Sequence, residues 1–114
     1  MSSLEREVDQ LHSRLCAGLA DPKRILILYA LADGALNVGE LADRLHQPQP
    51  TVSRHLKQLR ERGMVNTERQ GAAVYYSISD RRVIQALDLL RAVLADQLDS
   101  QASLAEAVRD DLEA

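Results

Sequence analysis

At 114 residues, 46% of them apolar, the chain has room for one modest core and is not disordered. It has no Phe or Trp, a single cysteine, a charged N-terminus and no long apolar run. No intrachain disulfide, membrane span or secretory signal is therefore expected, and the cytoplasm is the expected compartment. The net charge of −3 is unevenly spread: residues 1–43 carry four bases and seven acids, 44–70 six bases and two acids, and 80–114 four bases and eight acids. A basic middle between acidic ends points to a local positive potential.

Leu4, Val8, Leu11, Leu15 and Leu19 recur at helical spacing and predict an amphipathic helix over residues 1–19 that ends near Gly18. Asp21 and Pro22 then read as the cap and first residue of a second helix. Its expected buried face is Ile25, Leu28, Tyr29 and Ala32, and Gly34 ends it. Residues 35–38 form a short apolar link with room for one extended pairing. A short helix over residues 39–46 turns Leu41, Ala42 and Leu45 inward. Pro48 should stop it, because the residue before a proline is pushed out of the α region. Pro50 should open the next helix, with Gln49 as its cap. There Val52, Leu56 and Leu59 share one face, Arg54, Lys57, Gln58 and Glu61 lie opposite, Thr51 and Ser53 flank, and Gly63 ends the element.

Two short helices in tight succession, the second polar and basic outside, describe a helix-turn-helix, with the prolines setting the angle of the second helix. A helix of this kind fits the DNA major groove, where each base pair presents its own donors and acceptors, and its N-terminal residues usually reach the bases. Gln49, Thr51, Ser53 and Arg54 are the candidates for base contact, with Gln58 beside them. Lys57, Arg60 and Arg62 suit phosphate. A helical hairpin with a merely solvated face is the plainer alternative.

Two β-prone runs, residues 65–69 and 73–78, follow around a glycine-containing turn at 70–72, which is a hairpin signal. Helix-turn-helix plus hairpin makes a winged helix over residues 22–79, with Arg69 and Gln70 at the wing tip and Tyr75 and Tyr76 packing the hairpin onto the body. Val83, Leu87, Leu90, Leu94 and Leu98, widened by Ile84 and Val93, predict an apolar helix over residues 80–99. Residues 100–114, with Leu104, Val108 and Leu112 among acids, read as a further short helix or a frayed tail. The expected fold is mainly α with a small β-hairpin wing, in a single domain. So apolar a helix needs a partner, so the N- and C-terminal helices are expected to dimerise.

The stretches "RILILYAL", "VGELADRL", "TVSRHLKQLRERGMV" and "RQGAAVYYSIS" resemble, over residues 15–79, the arsenic-repressor (ArsR/SmtB) family of bacterial transcription factors. The resemblance implies a homodimeric repressor on a double-stranded DNA operator of imperfect two-fold symmetry. It also implies that the helix at residues 50–62 enters the major groove and that the wing at 69–73 touches flanking DNA. Alanines 72 and 73 follow Gly71 where the family often carries Arg or Lys, which weakens the wing's contact. The family's metal positions read Asn37 and Gly39 at one site, and Asp80, Arg82, Val93 and Asp96 at the other. Neither set supplies the thiolates or imidazoles such sites need, so no metal and no cofactor is expected.

Cys16 and His12 stand four apart and share a helix face, so two copies could offer two thiols and two imidazoles. Redox, sulfide or soft-metal sensing through Cys16 across a dimer is therefore an alternative, as is a winged helix used for protein contact. No phosphate-binding loop or catalytic constellation is present, so an enzyme is not expected. No effector can be read from the chain.

Overall fold

The computed structural model describes residues 2–114. The chain divides into two compact units, one through Arg81 and one from Arg82 onward.

The first unit opens with α1 (Ser3–Leu11), started by a reciprocal capping box. The Glu5 amide donates to Ser2 Oγ at 3.0 Å, and the Ser2 amide to Glu5 Oε1 at 3.4 Å, satisfying two first-turn donors. The helical run does not continue as one α-helix to Gly18. It widens into a π turn (His12–Cys16) and tightens into a 3₁₀ turn (Ala17–Leu19). Gly18 is not a left-handed stop there. It is buried, and a Cβ on it would come within 2.7 Å of Met64 Sδ and 2.9 Å of Arg62 Cδ. The glycine permits close approach, a demand that periodicity does not reveal.

Helix α2 (Pro22–Ala32) starts as its sequence suggests, with the Lys23 amide donating to Asp21 Oδ1 at 2.8 Å and Pro22 in the first turn. Its buried residues are Ile27, Leu28, Ala30 and Leu31, whereas Ile25, Tyr29 and Ala32 are half-buried. The expected face was displaced because residues 25–32 are apolar all round, which leaves the spacing no polar side to exclude.

Strand β1 (Leu36–Asn37) supplies the single extended pairing. Asn37 then caps α3 (Val38–Leu45): the Glu40 amide donates to Asn37 Oδ1 at 2.8 Å, and Glu40 Oε1 accepts from the Asn37 amide at 3.1 Å. Asn37→Ala should cost about 1 kcal/mol of stability by removing this cap. Chemical denaturation measures it, and an unchanged midpoint would contradict the capping role.

Helix α3 ends two residues before Pro48, at His46, which adopts the left-handed conformation (φ 53°). The Gln47 amide closes the turn on Ala42 O at 3.1 Å, the pattern of a Schellman motif built without glycine. The proline is therefore not the stop. Pro48 is instead the N-cap of α4 (Gln49–Glu61), and Gln49 is its first helical residue rather than its cap. Pro48 offers no side-chain cap, but its carbonyl accepts from the Thr51 and Val52 amides at 3.1 Å. Pro50, in the first turn, lacks an N–H that would have had no helical partner. Gly63 (φ 71°) closes α4, and the Met64 amide reaches back to Leu59 O at 2.9 Å.

Strands β2 (Val65–Gln70) and β3 (Ala73–Ile78) pair antiparallel around Gly71 and Ala72, and β1 adds to β3 with Leu36 opposite Tyr76, giving the order β1-β3-β2. Gly71, at φ 63°, supplies the positive φ that the first central residue of a tight hairpin turn requires. Ile27, Leu28, Leu41, Val52, Leu56, Leu59 and Met64 are the most deeply buried side chains. Shared apolar burial thus holds α2, α3 and α4 together.

The second unit is one helix, α5 (Arg82–Glu113), of 32 residues. The expected break near residue 100 is absent, because the chain holds no Gly or Pro after Gly71 and fills residues 102–107 with good helix formers. Ile84 and Leu87 are buried, but Leu90 is 63% and Leu94 52% exposed, and Leu98, Leu104, Val108 and Leu112 are also exposed.

Candidate DNA-binding surface

Helix α4 sorts its side chains by the company they can keep. Val52, Leu56 and Leu59 are buried, which turns the remaining positions outward. Gln49, Ser53, Arg54, Lys57 and Gln58 are exposed, and Thr51 is half-buried. Five of the six polar candidates on α4 therefore reach solvent on its outer face. Lys57 pairs with Glu61 at 4.0 Å, both well exposed. Such a pair contributes little, so Lys57 remains available to another anion.

Arg62 is not available in the same way, contrary to the phosphate role its sequence position suggests. It turns back and donates through Nη1 to the carbonyls of Ser13 and Arg14. A basic residue one turn past the last buried leucine looked solvated in the sequence, but its partner carbonyls lie almost 50 residues earlier.

An open groove of about 610 Å³ runs between α4 and the start of α2, lined by Lys23, Arg24, Thr51, Arg54, Lys57 and Gln58, with Asp21, His55 and Glu61 completing it. Lys23 and Arg24 bring cations from α2 beside those of α4, a convergence that the linear charge count misses.

Arg24 is the centre of a polar network. Its Nε donates to Gly18 O at 2.8 Å, its Nη2 to Ala17 O at 3.2 Å, and its Nη1 faces His55 Nδ1 at 3.4 Å. Asp21 Oδ2 lies 3.9 Å from His55 Nε2. Burial lowers the His55 pKa below its ordinary value. Asp21 opposes that shift, while Arg24, Lys23 and Arg54 reinforce it. Periodicity alone assigns His55 no such role. The clue available was its place one residue before Leu56, beside the buried face.

At the hairpin tip Arg69, Gln70, Gly71 and Ala72 are exposed, while Tyr75 and Tyr76 are half-buried in the sheet, opposite Asn37 and Leu36. Cys16 and His12 are both exposed on the π turn. Among the described residues no three of His, Cys, Asp and Glu gather as a metal-ligand group, and no helix is long and apolar enough to cross a membrane.

The model of the arsR family of bacterial regulatory proteins matches residues 21–67, from the cap of α2 into β2. The chain is 32% identical to the nodulation protein NolR of Rhizobium meliloti over 96 residues, covering 84% of this chain and 79% of that one. It belongs to the arsR family. It is also 42% identical over 78 residues to the transcriptional repressor SmtB of Mycobacterium tuberculosis, covering 68% of this chain and 58% of that one. Among relatives the share spanned ranges down to 52%. The solution structure of a homodimeric winged helix-turn-helix DNA-binding domain from Mycobacterium bovis is similar at TM-score 0.74 and 29% identity, covering 87% of this chain and 92% of that one.

The fold is thus the family's winged helix-turn-helix, mainly helical with a three-stranded antiparallel sheet. The chain is a DNA-binding transcription regulator and not an enzyme. In that fold α3 and α4 form the helix-turn-helix and the β2–β3 hairpin the wing. Asn37, which the sequence resemblance sets at one of the family's metal positions, is the cap of α3.

Proposed function

We propose that the chain is a homodimeric repressor that binds an imperfectly palindromic operator through α4, without the metal sites common in its family. The observation that carries this reading is the division of α4 into a buried apolar face and an exposed face bearing Gln49, Ser53, Arg54, Lys57 and Gln58. Thr51, Ser53 and Arg54, with Gln49, occupy the first turns and would read base edges. Lys57 would hold phosphate, and Arg69 and Gln70 would touch the flanking backbone.

Dimerisation is supported by the uncovered apolar faces of α1 and α5 and by the homodimeric neighbour. Two copies related by a two-fold axis would meet two half-sites about one helical turn apart. Loss of the metal sites rests on donor chemistry: Asn37 and Gly39 offer no thiolate, and Arg82 and Val93 no imidazole. Exposed Cys16 and His12 keep soft-metal or oxidant sensing as a second reading.

In vitro selection from random duplexes tests the proposal. The enriched pool should carry two related half-sites about one turn apart. Zn²⁺ and arsenite should not release the protein from that duplex. Enrichment of nothing, or Zn²⁺-driven release that survives Cys16→Ser, would overturn the corresponding half of the proposal. Release by a thiol oxidant that is abolished in Cys16→Ser would favour the second reading.

A further inference from the structure

The apolar contacts of Val52, Leu56 and Leu59 hold α4 against the core without directionality. They resist its removal better than its rotation or sliding. Two arginines supply what the core lacks. Arg62 ties the end of α4 to the carbonyls of Ser13 and Arg14, and Arg24 bridges the carbonyls of Ala17 and Gly18 to His55 in the middle of α4. All four carbonyls lie along the last turns of the first helical run, where the negative end of the helix dipole favours cations.

The chemistry of the Arg24–His55 contact fixes the state of the histidine. A guanidinium only donates, so His55 Nδ1 must present a lone pair to Arg24 Nη1. His55 is then neutral with its proton on Nε2, facing the Asp21 carboxylate. A second proton on Nδ1 would set N–H against N–H and remove the contact. We propose that Arg24 and His55 are a positioning pair for DNA reading: Arg24, seated on the Ala17 and Gly18 carbonyls, aims α4 through neutral His55.

This inference rests on the DNA-binding reading above. It makes operator discrimination depend on the N-terminal helical run and on the His55 proton. The charged groups around His55 are Asp21 at the cap of α2, Lys23 and Arg24 from α2, and Arg54 from α4 itself, with Lys57 and Glu61 of α4 lining the same groove. The 3₁₀ turn offers carbonyls, and the residues that α3 and its end place in the small adjoining pocket, Leu45 and Gln47, carry no charge. Because burial lowers the His55 pKa, the neutral form holds at pH 7 and is lost only as pH falls below about 6.5 toward that lowered value. A proton on the DNA-facing side strengthens binding to any duplex, so the informative quantity is the ratio of operator to random-duplex affinity, in which that gain cancels.

The test measures this ratio for wild type, Arg24→Lys and His55→Gln between pH 7.5 and 5.5, using the duplex selected with wild-type protein and a scrambled one. Lysine keeps the charge but not the planar fork. Arg24→Lys should therefore lower the ratio roughly tenfold at pH 7.5. The wild-type ratio should fall with pH. In His55→Gln, whose amide oxygen can accept from Arg24 but does not titrate, it should stay high and flat.

A purely structural role would not produce that pH profile. An unchanged ratio in folded Arg24→Lys overturns the proposal, as does a wild-type profile as flat as that of His55→Gln. If Arg24→Lys does not fold, the two pH profiles decide. If wild type binds no duplex at all, the DNA-binding reading fails instead. The pair is then tested in the free protein by the amide resonances of α4, which should shift with pH in wild type and not in His55→Gln. Equal shifts in both overturn it.

Discussion

Leu90→Glu together with Leu94→Glu should convert the protein from dimer to monomer and abolish tight operator binding. Both leucines are more than half exposed in the single chain, so a glutamate there costs an isolated protomer little. In an assembled interface the same carboxylates would be buried without partners, at a cost of several kcal/mol. Every 1.4 kcal/mol is about a tenfold change, so dimer affinity should weaken by about three orders of magnitude. Sedimentation at micromolar concentration should show the mass halved, with the helical signal of the protomer retained. An unchanged mass would remove α5 from the interface.

The N-terminal helix supports the same expectation from another direction. Leu4, Val8 and Leu11 are about half to two-thirds exposed, and α1 buries no residue. An amphipathic helix with an uncovered apolar face gains little from folding alone and much from a partner.

The second large effect concerns selectivity. Arg54→Ala should lose about 1–3 kcal/mol of discrimination between operator and random duplex, with Ser53→Ala behaving similarly. Lys57→Ala should weaken both duplexes about equally and lower the salt slope by about one unit, because it removes one phosphate contact. The prediction separates positions that lie only one helical turn apart. Loss of specificity in Lys57→Ala, with Arg54→Ala unaffected, would mean that α4 is rotated relative to the groove.

What was legible in the chain followed from short-range chemistry. The Asp21–Pro22 start of α2, the Val52–Leu56–Leu59 face of α4, the Gly63 stop and the Gly71 turn each depend on a few neighbouring residues. The misses have equally definite causes. Helix α2 is apolar on every side, so spacing did not reveal which residues it buries. His46 adopts a left-handed conformation that glycine usually fills, which made Pro48 look like the stop. The continuity of α5 was hidden by acids scattered along an apolar stripe that continues through Leu104, Val108 and Leu112.

The candidate surface divides along the same line. The outward positions of α4 follow from its own periodicity. The roles of Arg24, His55 and Arg62 do not, because each is decided by contacts between segments distant in sequence: 31 residues separate Arg24 from His55, and 49 separate Ser13 from Arg62. Basic residues near a DNA-binding helix are easily taken for phosphate ligands, although two of them here are engaged in holding it.

The most direct test of DNA reading by α4 is the affinity of wild-type protein for the selected operator and for a scrambled duplex, each titrated across salt. Log affinity should fall linearly with log salt for both, as counterion release requires, with the operator bound at least about 10³-fold more tightly throughout. Binding indifferent to salt, or equal for the two duplexes, would contradict it.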